Sequence, residues 1–211
     1  MAQRLEQAFN QGVLPLVAIL RGITSSEVSA VGKAIIDSGI SLIEVPMNSP
    51  RPIDSISALK KTFGDDIICG AGTVLNVAEV EQVHDAGGCL IVAPNCDEAV
   101  IKKALALGMI PIPGVATPTE AFTAINAGAR YIKLFPAAGL GENYLKNMLA
   151  VLPKDITVLA VGGINASNMQ SFWQAGARGF GIGGDIYQPG DSAATVAQKS
   201  LKIVEAFNSA K

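Results

Sequence analysis

The chain is poor in the residues that metal centres and disulfide scaffolds are made from. Among 211 residues there are one histidine, His84, and three cysteines, Cys69, Cys89 and Cys96. A single histidine excludes a histidine-rich zinc site within one chain, and three thiols without metal-like spacing read as reduced, buried side chains of an intracellular protein. His84 lies in the polar helical stretch EVEQVHDAG and is expected on the surface. Aromatic residues make up only 5% of the chain and charged residues 16%. Sixteen basic against eighteen acidic side chains leave a formal charge of −2, which excludes the strongly basic balance of a dedicated nucleic-acid binder. No apolar run reaches the roughly 18–20 residues that a membrane span needs. The N-terminal apolar stretch is short, contains Pro15 and lacks a small-residue cleavage site. No secretory leader is therefore expected, and the expected compartment is the cytoplasm.

Apolar residues are abundant: 49% are hydrophobic and the mean hydropathy is +0.38, enough for a substantial core. They alternate between strand-sized and helix-sized runs. Strands are predicted at 14–20, 41–45, 67–70, 89–93, 109–113, 131–135, 157–163 and 179–184. Helical spacing appears between them, as in Val28, Val31 and Ile35, or Met169, Phe172 and Trp173. Gly39, Gly87, Gly108, Gly128 and Gly176 each fall between a helical run and the next strand, where a left-handed residue ends a helix. Eight apolar strands joined by crossover helices imply parallel pairing with both faces buried. The expectation is a (β/α)8 TIM barrel forming a single domain over residues 1–211, with an extra helix at 2–11 closing its floor. An open doubly wound sheet is the rival, but the first strand leads into Leu20-Arg21-Gly22-Ile23 and not into a glycine-rich dinucleotide fingerprint.

In such a barrel the chemistry belongs at the C-terminal ends of the strands. Lys133, in Tyr-Ile-Lys-Leu-Phe, is the only one of eleven lysines inside a strand-like run. Desolvation there lowers an amine's pKa and leaves more free nucleophile for a ketone. The competing reading is a lysine that snorkels to the rim or pairs with a carboxylate. Glu44 is the corresponding carboxylate, in the second strand. Lys133 is in the sixth, and even-numbered strands share interior layers. The two side chains suit proton transfer next to an imine, or else form a plain buried ion pair. Gly162–Gly163 and Gly183–Gly184 end the last two strands, where exposed N–H groups and the following helix starts favour phosphate. Tight turns alone would also call for glycine. Arg21 can fork onto a carboxylate. Thr73 and Pro94 either line the same cavity or serve as a helix cap and a turn former, and Asp185 is a possible cap of the last helix.

The segments LRGI (20–23), EVPMNSP (44–50), GAGTVL (70–75), APN (93–95), PG (113–114), KLFP (133–136), AVGGI (160–164) and GIGGDIY (181–187) together resemble the 2-keto-3-deoxy-6-phospho-sugar-acid aldolases. The resemblance implies a class I aldolase, usually trimeric, without a metal or organic cofactor. It implies a phosphorylated keto acid as the small-molecule partner. Lys133 matches the Schiff-base lysine and Glu44 the general acid/base. Arg21 and Thr73 match positions around the pyruvate carboxylate, Pro94 and Phe135 line the pocket, and Gly162, Gly163, Gly183 and Gly184 match the phosphate cradle. Glu44-Val-Pro-Met-Asn-Ser49 replaces the Glu-Val-Thr-Leu-Arg-Thr of the gluconate branch, and Val161 stands where that branch tends to carry threonine. Losing a hydroxyl changes which epimer finds a partner, so the galactonate substrate is expected ahead of the gluconate one. A metal-dependent aldolase or isomerase, and a non-catalytic phosphate-binding barrel, are the rival functions.

Overall fold

The structure, a computed structural model, describes residues 2–211, with side chains from Leu5 onward. Nine strand segments form one wholly parallel sheet: β1 (Leu16–Ile19), β2 (Leu42–Pro46), β3 (Ile68–Gly72), β4 (Leu90–Val92), β5 (Ile110–Ile112), β6 (Gly114–Val115), β7 (Tyr131–Leu134), β8 (Thr157–Val161) and β9 (Gly179–Ile182). Their order is β5-β4-β3-β2-β1-β9-β8-β7-β6. Segments β5 and β6 are two halves of one strand interrupted at Pro113, which has no N–H to donate to a ladder. Pro113 still accepts a bond from the Lys133 N–H at 2.8 Å, so the sheet closes on itself through this residue. The nine segments are thus eight barrel staves, and the expected (β/α)8 architecture is found with one stave split.

Among the described residues, ten α-helices and a 3-10 turn at Gly64–Asp66 accompany the sheet: α1 (Ala2–Asn10), α2 (Val28–Asp37), α3 (Pro52–Phe63), α4 (Val77–Asp85), α5 (Glu98–Ala106), α6 (Pro118–Asn126), α7 (Ala137–Leu140), α8 (Glu142–Leu149), α9 (Met169–Ala175) and α10 (Ala193–Ala210). The predicted helical triplets face the sheet. Val28, Val31 and Ile35 are buried, as are Met169 and Phe172, and Trp173 packs edge-on to Phe207 at 5.4 Å. The five helix-ending glycines all have φ between 70° and 113°, the left-handed region where a side chain would be strained. The five helices before these glycines, α2, α4, α5, α6 and α9, therefore stop where the sequence punctuates them.

Two apolar layers result. One lies between sheet and helices; the other fills the barrel and contains Val17, Leu42, Leu90, Val92, Ile112, Leu159 and Val161. Helix α1 closes the floor of the second, as expected: Leu5 is fully buried there, and Phe9 meets Tyr131 edge-on at 6.1 Å. His84 is exposed. Cys69 is buried, and burial pushes its thiol up to about 12. Cys89 and Cys96 are only half-buried, the first directly before β4 and the second in the loop that leads into α5; the expectation of three buried thiols holds for Cys69 alone. Among the described residues, no helix is long and apolar enough to cross a membrane.

Candidate active site

A cavity of about 290 Å³ opens at the C-terminal ends of the strands. It is lined by Arg21, Glu44, Thr73, Pro94, Lys133, Phe135, Val161, Gly162, Gly163, Gly183 and Gly184, so every candidate read from the sequence meets at one place. Ile19, Ile164, Gly181 and Asp185 complete the wall. Ile19 and Gly181 escaped the sequence reading because an isoleucine and a glycine inside apolar strands look like ordinary core. Their inward direction is set by the barrel's pleat.

Glu44 and Lys133 are the only acidic or basic side chains that are buried among the described residues, at 2% and 6% exposure. They come from β2 and β7, the second and sixth staves, and face a common interior void with Val92 and Gly181 of the fourth and eighth. Burial pushes the Glu44 carboxyl up to about 7, with the Lys133 and Arg21 charges opposing the shift. Burial likewise lowers the Lys133 pKa, with Glu44 opposing and Arg21 adding to it. Desolvation is the larger influence on both groups, so each holds its charge less readily than in water. One carboxylate oxygen of Glu44, Oε2, is buried without a hydrogen-bond partner. The carboxylate lies against Gly72, where a Cβ would overlap it, and so it needs a residue without a side chain on the neighbouring strand. The Lys133 ammonium sits 4.7 Å from the centre of the Phe135 ring.

The two glycine pairs face the same cavity. Gly162 and Gly163 have φ of 94° and 75°. A Cβ on Gly163 would collide with Ala138, and one on Gly162 would crowd Phe135 and Pro136. Among the described residues, the N–H groups of Gly162, Gly163, Gly183 and Gly184 donate to no protein acceptor, which leaves them for a ligand. The expected helix starts do not follow directly. Turns intervene, and α9 and α10 begin only at Met169 and Ala193. The first turn is organised by Asn168, which accepts from the Asn165 N–H at 2.9 Å and donates to the Gly163 carbonyl at 2.8 Å. Backbone N–H groups, and not long-helix dipoles, therefore supply the positive character here.

Three alternative roles are resolved by geometry. Thr73 does not cap α4, since Asn76 does so by accepting from the Glu79 N–H; Thr73 instead has a φ of 56° and lines the cavity. Asp185 does not cap α10, whose cap is Ser192. Pro94 lines the cavity while its carbonyl fills the space that a side chain on Gly114 would need. Arg21 is exposed at the rim, and its Nη1 donates to Asn48 Oδ1 at 2.6 Å and its Nη2 to Thr73 Oγ1 at 3.4 Å. Asn48 is a neighbour that no reading of spacing could single out.

A buried lysine and a buried carboxylate at a barrel mouth, opposite free backbone donors, are the parts an imine-forming lyase on a phosphorylated substrate requires. The comparisons with known proteins agree. The family description "KDPG and KHG aldolase" matches residues 9–199. The 2-dehydro-3-deoxy-6-phosphogalactonate aldolase of Escherichia coli K12 is 45% identical over 95% of this chain and 98% of its own. A Rhizobium meliloti protein named "Probable 2-dehydro-3-deoxy-6-phosphogalactonate aldolase" is 44% identical over 92% of each chain. The solved native KDPGal structure superimposes with a TM-score of 0.92 at 45% identity, covering 93% of this chain and 96% of that one. The chain belongs to the KDPG and KHG aldolase family and is an aldolase, a carbon–carbon lyase.

Proposed function

We propose that the protein splits 2-dehydro-3-deoxy-6-phosphogalactonate into pyruvate and D-glyceraldehyde 3-phosphate through a Schiff base on Lys133. The observation that carries this reading is the pairing of the two buried ionisable side chains, Lys133 and Glu44, in one cavity with the glycine loops. The neutral amine of Lys133 attacks the C2 ketone, and Glu44 supplies the proton with which the carbinolamine oxygen leaves as water. The resulting iminium draws in the electrons of the C3–C4 bond as it breaks. Glu44, now ionised, takes the C4 hydroxyl proton through a water, and the aldehyde departs. The enamine is protonated at C3, and hydrolysis of the imine returns pyruvate and free Lys133. Arg21 and Thr73 hold the C1 carboxylate, Pro94 and Phe135 flank the reacting carbons, and the N–H groups of Gly162, Gly163, Gly183 and Gly184 hold the phosphate. Anchoring both ends of the substrate keeps the scissile bond in place.

Val161, without a hydroxyl, lines the cavity wall and supports the galactonate epimer over the gluconate one. The metal-dependent alternative has only Glu44 and Asp185 as carboxylates in the cavity wall, too few for an oxygen cage. The same reading takes residues 1–211 as one domain and a homotrimer in the cytoplasm as the working form.

The test is borohydride reduction with pyruvate present, followed by peptide mass mapping. A pyruvyl adduct on the peptide carrying Lys133 is expected, with none on Lys133→Ala, which should fold and lack turnover. Saturating pyruvate with no adduct on the folded protein would overturn the imine reading. Turnover of the two epimers, assayed side by side, then decides between galactonate and gluconate.

A further inference from the structure

Arg21 poses a physical problem. It is an exposed side chain at the rim of the cavity, and a free arginine there samples many rotamers. Its guanidinium is nevertheless held in one place. The 2.6 Å bond from Nη1 to Asn48 Oδ1 is short, whereas the 3.4 Å contact from Nη2 to Thr73 Oγ1 is long and weak. Asn48 is therefore the principal restraint. It sits in the loop after β2, and that loop is fixed to both neighbouring staves. Met47 N–H donates to the Gly72 carbonyl at 2.7 Å, and the buried Ser49 hydroxyl accepts from the Gly22 N–H at 3.0 Å. Among the described residues, the Asn48 side chain has no hydrogen-bond partner other than Arg21.

We propose that Asn48 is a positioning residue, whose amide oxygen aims the Arg21 guanidinium at the carboxylate of the pyruvate-forming half of the substrate. This rests on the reading of Arg21 as the carboxylate anchor. The chemistry of the amide matters. A guanidinium has five N–H donors, and the bond to Asn48 uses one, leaving a fork for a carboxylate. A neutral acceptor orients the guanidinium without neutralising it, whereas an aspartate at the same place would compete with the substrate's own carboxylate. Asn48 is exposed, and the bonds that fix its loop belong to Met47 and Ser49 and not to its own side chain, so truncating that side chain leaves the barrel intact.

The experiment is steady-state kinetics in the condensation direction, with pyruvate and D-glyceraldehyde 3-phosphate varied separately. The proteins compared are the unaltered enzyme, Asn48→Ala, Asn48→Asp, Arg21→Ala and the Asn48→Ala/Arg21→Ala pair. For Asn48→Ala the KM for pyruvate should rise on the order of tenfold, the usual effect of losing one hydrogen bond to a charged group. The KM for the aldehyde should stay put, and kcat should change much less than the pyruvate KM. Asn48→Asp should raise the pyruvate KM at least as much. Adding Asn48→Ala to Arg21→Ala should raise it no further, because the two residues act as one unit. If Arg21→Ala raises the pyruvate KM and Asn48→Ala does not, the positioning role is wrong and the anchor stands. If Asn48→Ala raises both KM values together or lowers the melting temperature, its role is general and the inference fails. If Arg21→Ala itself leaves the pyruvate KM unchanged, the anchor reading fails with it.

Discussion

Glu44 shows how one residue's environment sets its chemistry. In water a glutamate is ionised at neutral pH. In the barrel, burial moves its ionisation to about 7, so that both protonation states are available under working conditions. The ionised form is the base for carbon–carbon cleavage, so kcat/KM should fall on the acid side with an inflection near 7. Glu44→Gln should abolish that inflection and reduce kcat about 10²–10⁴-fold. A pH–rate profile of both proteins checks this, and an unchanged acid limb in Glu44→Gln would show that another group is the base. The same shift has a stability consequence of definite sign. The folded state keeps the Glu44 proton where the unfolded chain has lost it, between 4.5 and about 7, so the contribution of Glu44 to stability declines as pH rises through that window. Gly72 belongs to the same account, since any side chain there would displace the carboxylate.

At the scale of elements, the helices are ended and begun by local chemistry. Helix α6 opens with a complete capping box: Thr117 accepts from the Glu120 N–H, Glu120 accepts from the Thr117 N–H at 2.8 Å, and Pro118 occupies the first turn. Hydrogen bonds from the Ala116 N–H and from Thr117 lower the Glu120 pKa, so its part of the cap is present above the ordinary carboxylate value of 4.5 and is lost as pH falls further. Thr117→Ala should cost about 1 kcal/mol. In a chain of this size that is a fall of roughly 2–4 °C in Tm. Thermal melts at neutral pH measure it, and a shift below about 1 °C would show that Glu120 and Pro118 cap the helix without Thr117. The strands were legible from their apolar runs and the helix ends from their glycines. The break at Pro113 was harder to see, because Pro111 and Pro113 lie in a run apolar enough to be one strand. Only the neighbouring ladders show which carbonyls are shared across the gap.

Among the described residues, the molecule buries two acidic or basic groups, Lys133 and Glu44, where a core would otherwise be apolar. Lys133 and Glu44 sit above a barrel interior of aliphatic side chains that α1 seals from below. Replacing buried charges by well-packed apolar side chains of similar volume is often neutral or stabilising, by about 1–4 kcal/mol. Lys133→Met combined with Glu44→Met should therefore raise the melting temperature by several degrees while abolishing turnover, roughly 2–4 °C per kcal/mol. Differential scanning calorimetry decides it. A lower melting temperature would mean that the pair contributes to folding, and the view of the site as a burden on stability would be wrong.

Periodicity and punctuation in the sequence determined the architecture. Alternating apolar runs, with glycine after five of the helices, admit few arrangements, and the end of each strand then marks where chemistry can occur. Sequence also determined which side chains stand out, since a lysine or a glutamate inside an apolar strand has no ordinary packing role. Tertiary structure alone decided which of these residues meet. Glu44 and Lys133 are nearly ninety positions apart, and their electrostatic coupling exists only because the sheet closes. It also decided that Thr73 lines the cavity and does not cap a helix, and that Asn48 holds Arg21 across 27 positions. Hydrogen bonds and pKa shifts depend on distance and burial, which the chain acquires only when the barrel forms.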